Sequence, residues 1–250
     1  MGVRESLTLD HFYFNASDED FAQLLKMKDL FRAISHSKSE VQGDSWEGLY
    51  LYSRPGSYLE ILRARRAPGY FAICLSPSQP YRCDVSHVVS EVSANWQSYQ
   101  RKFPDGSLWH EAFYIDEVPS DHDSLFFVWA MKHYQRHLVN VNPMVPRSVD
   151  GFKKITLTLG EDHTQEILSR CQILPIAPTL NDRSISLEIP DRDGFRFYVE
   201  INLVSGNSRF DFKTLELTHC HPENFDNFKA LGMGKFELTA NGSLLTLRKD

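Results

Sequence analysis

Tyr58-Leu59-Glu60-Ile61-Leu62 and Tyr198-Val199-Glu200-Ile201-Asn202 are close to one strand written twice. In both, a tyrosine and a glutamate alternate with aliphatic residues, the period of a half-buried strand. Each closes a stretch that opens on another alternating run. The first opens on Leu9-Asp10-His11-Phe12-Tyr13-Phe14, with Phe12 and Phe14 on one face and His11, Tyr13 and Asn15 on the other. The second opens on Phe152-Lys153-Lys154-Ile155-Thr156-Leu157-Thr158-Leu159. Ser17 or Asp18 is expected to cap a helix through Phe21, Leu24 and Leu25 in the first stretch, and residues 164–171 carry a helical pattern in the second. A hairpin follows in each. In the first it runs from Ser45-Trp46-Glu47-Gly48-Leu49-Tyr50-Leu51-Tyr52 through the turn Ser53-Arg54-Pro55-Gly56-Ser57. In the second it runs from 184–189 through Pro190-Asp191-Arg192-Asp193-Gly194 to 195–203. The pattern is a duplicated βαβββ unit, and one copy alone is too thin to bury a sheet face.

Four segments follow from this: a first unit over 1–68, a central insertion over 69–150, a second unit over 151–205 and a strand-rich C-terminal extension over 206–250, packed together. Within the insertion, strands are expected at 69–75, 108–118 and 125–131. A helix is expected over 86–102, burying Val88, Val89, Val92, Trp96 and Tyr99. The extension is expected to hold a strand at 214–219, a helical piece near 225–231 and a hairpin about Asn241-Gly242.

The chain of 250 residues carries a formal net charge of -6, with 42% hydrophobic and 24% charged residues. That composition is ordinary for a soluble globular protein. No broad basic face is visible, so a nucleic-acid partner is not expected. No apolar run reaches membrane-spanning length, so no membrane partner is expected either. Cys74, Cys83, Cys171 and Cys220 have no paired spacing, and no secretory leader is apparent, so free thiols and a cytoplasmic location are expected. Nucleotide-loop and serine-hydrolase motifs are missing.

His11 shares a strand face with Tyr13 and Asn15, Glu60 lies between Leu59 and Ile61 on the last strand of the first unit, and Glu200 repeats Glu60 in the second unit. A carboxylate between aliphatic neighbours is costly unless it is paired or coordinated. His11 reads either as a ligand or as a hydrogen-bonded core histidine, and the glutamates either as ligands or as salt-bridge partners. Tyr13, Tyr50, Tyr52, Tyr58 and Tyr198 are expected to line a cup suited to an aromatic or amphipathic small molecule, and His110 to enter it from the insertion. His133 and His137 stand at helical i, i+4 spacing, and His219 and His221 flank Cys220; the surface reading is preferred for both pairs.

With a histidine on the first strand and a glutamate on the last, the paired units resemble the vicinal oxygen chelate superfamily, which includes glyoxalase I, extradiol ring-cleaving dioxygenases and fosfomycin- and bleomycin-resistance proteins. Residues 45–62, Phe126-Phe127-Val128-Trp129-Ala130-Met131 and Asn241-Gly242-Ser243-Leu244-Leu245-Thr246-Leu247 are similar to a glyoxalase-like branch of it. The resemblance implies an α+β fold in which two βαβββ modules form a cupped mixed sheet. It also implies a divalent metal (Fe, Mn, Ni or Zn) on His11, Glu60 and Glu200, one ligand short of the usual four because Lys154 and Thr156 stand where the fourth belongs. Metal-dependent isomerase, lyase or dioxygenase chemistry would follow, in a monomer or a homodimer. The alternative is a metal-free small-molecule binding protein on the same scaffold. A third reading is a metal-free enzyme using His11 and Glu60 as acid and base.

Overall fold

The computed structural model describes residues 7–28, 34–41, 44–53, 57–63, 71–77, 96–103, 105–115, 126–130, 149–173, 176–190, 196–206, 211–220, 235–240 and 243–248. The chain opens on β1 (Leu7–Ala16) and α1 (Asp18–Lys28), followed by β2 (Ile34–Val41), β3 (Asp44–Tyr52) and β4 (Tyr58–Arg63). The start of α1 is written locally. Ser17 Oγ accepts the Asp20 backbone N–H at 3.1 Å and donates to the Asp20 carboxylate at 2.7 Å. Asp18, Glu19 and Asp20 place negative charge against the helix N-terminus. The hairpin from β3 to β4 is closed by Ser53 and Ser57, whose backbone N–H and C=O meet at 2.9 Å and whose hydroxyls meet at 2.7 Å. That closure sets the register that places Tyr52 opposite Tyr58 and Tyr50 opposite Glu60.

Next come β5 (Phe71–Pro77), β6 (Trp96–Lys102), β7 (Leu108–Ile115) and β8 (Phe126–Ala130). These eight strands form one sheet in the order β2-β3-β4-β1-β5-β8-β7-β6. In the first half β1 is parallel to β4; in the second half β5 is parallel to β8; the halves join through antiparallel β1 and β5. The stretch expected as a central insertion therefore carries the strand order of the repeat unit and supplies the other half of the sheet. Residues 96–102, expected at the end of a helix, are a strand instead. Phe103–Ser107 forms a tight turn, with Gly106 at φ +79° and the Ser107 backbone N–H on the Asp105 carboxylate. This turn folds β6 back on β7, and pairing outweighs the helical spacing of Trp96 and Tyr99. The rest of that expected helix lies outside the described residues, as do Cys83, His133, His137, His221 and the piece near 225–231.

A second sheet is built from β9 (Val149–Gly160), β10 (Thr179–Asn181), β11 (Ser184–Pro190), β12 (Arg196–Val204) and β13 (Asp211–Cys220), in the order β10-β11-β12-β9-β13. A 3₁₀ turn (Glu161–His163) and α2 (Thr164–Ile173) follow β9. β12 runs parallel to β9, and β13 runs antiparallel to it, which repeats the arrangement of β4, β1 and β5. A last hairpin pairs β14 (Lys235–Ala240) with β15 (Ser243–Arg248) in the register that leaves Asn241-Gly242 as its two-residue connection.

One apolar core joins the sheets. Phe12 and Phe14 of β1, Leu59 and Ile61 of β4, Ile155 and Leu157 of β9, and Phe197, Val199 and Ile201 of β12 are all buried in it. Phe12 sits at its centre, stacked on Phe197 at 5.3 Å and edge-on to Phe152 at 5.0 Å between centroids. Phe21 and Leu24 of α1 and Ile167 and Cys171 of α2 extend it. With period-2 alternation, the residues between these core positions face away from the partner sheet.

Candidate functional site

On the first sheet those outward residues form an aromatic cup. The row of register partners Tyr52, Tyr58, His11 and Cys74 crosses four strands, and the row Tyr50, Glu60, Tyr13 and Ala72 lies beside it. His11, 1% exposed, stacks on Tyr58 with ring centroids 4.5 Å apart and planes within 6°. Tyr52 packs on both Tyr50 and Tyr58 at 6.1 and 5.5 Å. The Tyr50 hydroxyl donates to Glu60 at 2.9 Å and accepts the Trp46 indole N–H at 3.3 Å. The sheet curls until its far ends meet: the guanidinium of Arg101, on edge strand β6, lies 4.9 Å over the Trp46 ring of β3. His110 is buried and sits opposite Arg101 in the β6–β7 register, so it shares the cup-facing side.

Asp10 was not foreseen as part of the site. In regular alternation it would face away from His11. The β1–β5 register slips between Leu9 and His11, and such a bulge re-aims side chains. Asp10 Oδ1 thereby reaches His11 Nδ1 at 2.8 Å, while its other oxygen accepts the Ser76 hydroxyl at 3.2 Å. With Nδ1 held by a carboxylate, proton exchange or ligand contact at His11 falls to Nε2.

The electrostatics keep the phenols neutral. Burial, then the charge of Glu60, pushes Tyr52 up to about 12. Burial and the Glu60 carboxylate raise Tyr50 and Tyr58 far above the ordinary phenol value. Burial also raises the Cys74 thiol, reinforced by Asp10 and Glu60, so it stays protonated. Cys74 and Cys171 are both free, as expected.

Glu200 and Tyr198 are elsewhere, which corrects the single shared hollow. Tyr198 stands opposite Lys154 on β9 as Tyr58 stands opposite His11 on β1, so the sequence echo marks equivalent positions of two sheets. Leu59 and Ile61 on one side, and Val199 and Ile201 on the other, are buried in the common core. Glu60 and Glu200 therefore point away from that core in opposite directions. Glu200 is ion-paired with Lys154, and Tyr198 is 42% exposed. The expected metal triad does not assemble, because the filled core separates Glu200 from His11 and Glu60. Among the described residues no group of three or more His, Cys, Asp and Glu side chains is placed to hold a metal ion, where a protein-held catalytic zinc, for example, takes three ligands.

No family model and no curated protein matches the sequence. Solved structures do match its fold. A structure described as a hypothetical protein from Staphylococcus aureus superposes with a TM-score of 0.60 at 11% identity, over 97% of this chain and 98% of that one. The 2,2',3-trihydroxybiphenyl 1,2-dioxygenase of a dibenzofuran-degrading Sphingomonas wittichii gives 0.51 at 11% identity, over 97% and 90%. An extradiol ring-cleaving dioxygenase from B. fuscum gives 0.50 at 13% identity, over 98% and 72%. What is shared at these identities is the fold, that of the vicinal oxygen chelate proteins. No helix among the described residues is long and apolar enough to cross a membrane.

Proposed function

We propose that the protein binds a small aromatic or amphipathic molecule in the cup of the first sheet, with Glu60 taking the ligand's cationic or hydrogen-bond-donating group. The observation that carries this is the convergence of Tyr13, Tyr50, Tyr52, Tyr58 and His11 around one carboxylate on a single curled face. Neutral phenol faces attract cations and rings alike. Partial burial sharpens the pull of Glu60, and its bond from Tyr50 fixes where the charge sits. The contact of Arg101 with Trp46 completes the cup within one chain, which supports action as a monomer. The buried free thiols support a reducing compartment such as the cytoplasm.

Benzylamine and its neutral analogue benzyl alcohol test this by calorimetric titration. Benzylamine is expected to bind more tightly. Glu60→Gln is expected to weaken it by about 10- to 100-fold, the scale of a charge-assisted hydrogen bond. Two results would overturn the proposal: equal affinity in wild type and Tyr58→Ala, or a stoichiometric divalent metal in chelator-free protein that His11→Ala removes.

The Asp10–His11 pair favours a second reading, in which the bound molecule is also turned over, with His11 as metal-free acid or base. A buried carboxylate on Nδ1 fixes tautomer and ring orientation for proton transfer at Nε2. Turnover found in a substrate screen should survive chelators and fall by about 10²-fold or more in Asp10→Asn. Activity unchanged in that variant refutes the reading.

A further inference from the structure

One more cup-facing row lies beyond Glu60. Asn15 of β1 stands opposite Leu62 of β4, which stands opposite Gly48 of β3. Asn15 shares the face of His11 and Tyr13. Its side chain is 0% exposed, and neither its amide oxygen nor its amide nitrogen has a hydrogen-bond partner. A buried carboxamide lacking both its donor and its acceptor partner is costly, and such groups are rare in folded proteins. At the other end of the row, the Tyr50 side chain occupies the space that a side chain at Gly48 would fill. The Tyr50 hydroxyl lies 2.8 Å, and two ring carbons 3.0 Å, from where a Cβ at 48 would stand. The Tyr50 ring thus leans over Gly48 at this end of the row.

We propose that Asn15 is a specificity-determining residue of the cup, and that the ligand brings a paired donor and acceptor, as on the edge of a carboxamide or a lactam. A planar amide edge meets both unsatisfied atoms at once, while the attached ring lies among Tyr13, Tyr50 and Tyr58. The inference rests on the proposed cup for the place of the ligand, but its stability arm needs no ligand at all.

Two measurements test it together. In the ligand-free protein, Asn15→Val or Asn15→Leu should raise the melting temperature by about 2–10 °C, because an unsatisfied amide is removed. Benzamide should bind wild type at least tenfold more tightly than N,N-dimethylbenzamide, which lacks the donor, and both Asn15 variants should erase that preference. If both substitutions lower the melting temperature, the amide is satisfied in solution by ordered water and the inference fails. It fails equally if wild type binds benzylamine but does not discriminate the two amides, and in that case the cup itself stands. If wild type binds none of the three probes, the cup and the inference fall together.

Discussion

The two sheets present the same frame with different furniture. His11, Tyr58 and Glu60 on the first correspond in register to Lys154, Tyr198 and Glu200 on the second. On the first, the tyrosine stacks on a buried imidazole and the glutamate accepts a phenol hydroxyl. On the second, the tyrosine is exposed and the glutamate is neutralised by a lysine. Where the first sheet has a histidine the second has a lysine, and its glutamate sits in a partly solvated ion pair. A motif repeated in sequence thus need not be repeated in chemistry.

The sharpest way to break the comparison is to remove what holds the sheets apart. Phe12→Ala deletes the ring between Phe152 and Phe197 at a fully buried position. It should cost about 3–5 kcal/mol in denaturant unfolding, and a loss under 1 kcal/mol would show that the sheets do not share this core. Next, Gly48→Ala places a methyl group in the space of the Tyr50 ring. About 1–3 kcal/mol of destabilisation is expected from overpacking, together with weaker benzylamine binding as the bond from Tyr50 to Glu60 is disturbed. Binding left at the wild-type level would detach Tyr50 from the site. On the second sheet, Glu200→Gln should change stability by only about 0–1 kcal/mol, because its pair with Lys154 is partly solvated, and should leave benzylamine affinity unaltered.

The smallest effect lies on the other face of the first sheet, which Glu47 shares with Leu49 and Leu51. Glu47 is partly desolvated, which pulls its carboxyl up, but hydrogen bonds from Arg63, His36 and Lys38 prevail and hold it below the usual value. A carboxylate depressed in the folded state stabilises the protein above its unfolded value and loses that contribution as pH falls through the folded one. The stability gap between wild type and Glu47→Gln should therefore shrink as pH falls below 4.5. A gap that widens on acidification would contradict the sign of this coupling.

Much of the first cup was legible in the sequence. Alternation alone puts His11, Tyr13 and Asn15 on one face, and the closing turn from Ser53 to Ser57 aligns Tyr50 and Tyr52 with Glu60 and Tyr58. Strand order was not legible, because periodicity reports which face a residue takes and not which strand lies beside it. For that reason the sequence pattern sets Glu200 in the same hollow as Glu60, and it does not show that β5, β6, β7 and β8 form half of the first sheet. Asp10 escaped because a bulge breaks the alternation by which it would have been judged. Trp46 and Arg101 meet only because the sheet curls, and no local pattern encodes that curl.

The matched tyrosines give the most direct test of where the site lies. Benzylamine is titrated into wild type, Tyr58→Ala and Tyr198→Ala, with folding of each checked by circular dichroism. Loss of the Tyr58 ring should weaken binding about tenfold, the scale of one aromatic contact, while loss of the Tyr198 ring should leave it unchanged. Equal losses at the two positions, or a loss confined to Tyr198, would contradict a ligand site on the first sheet.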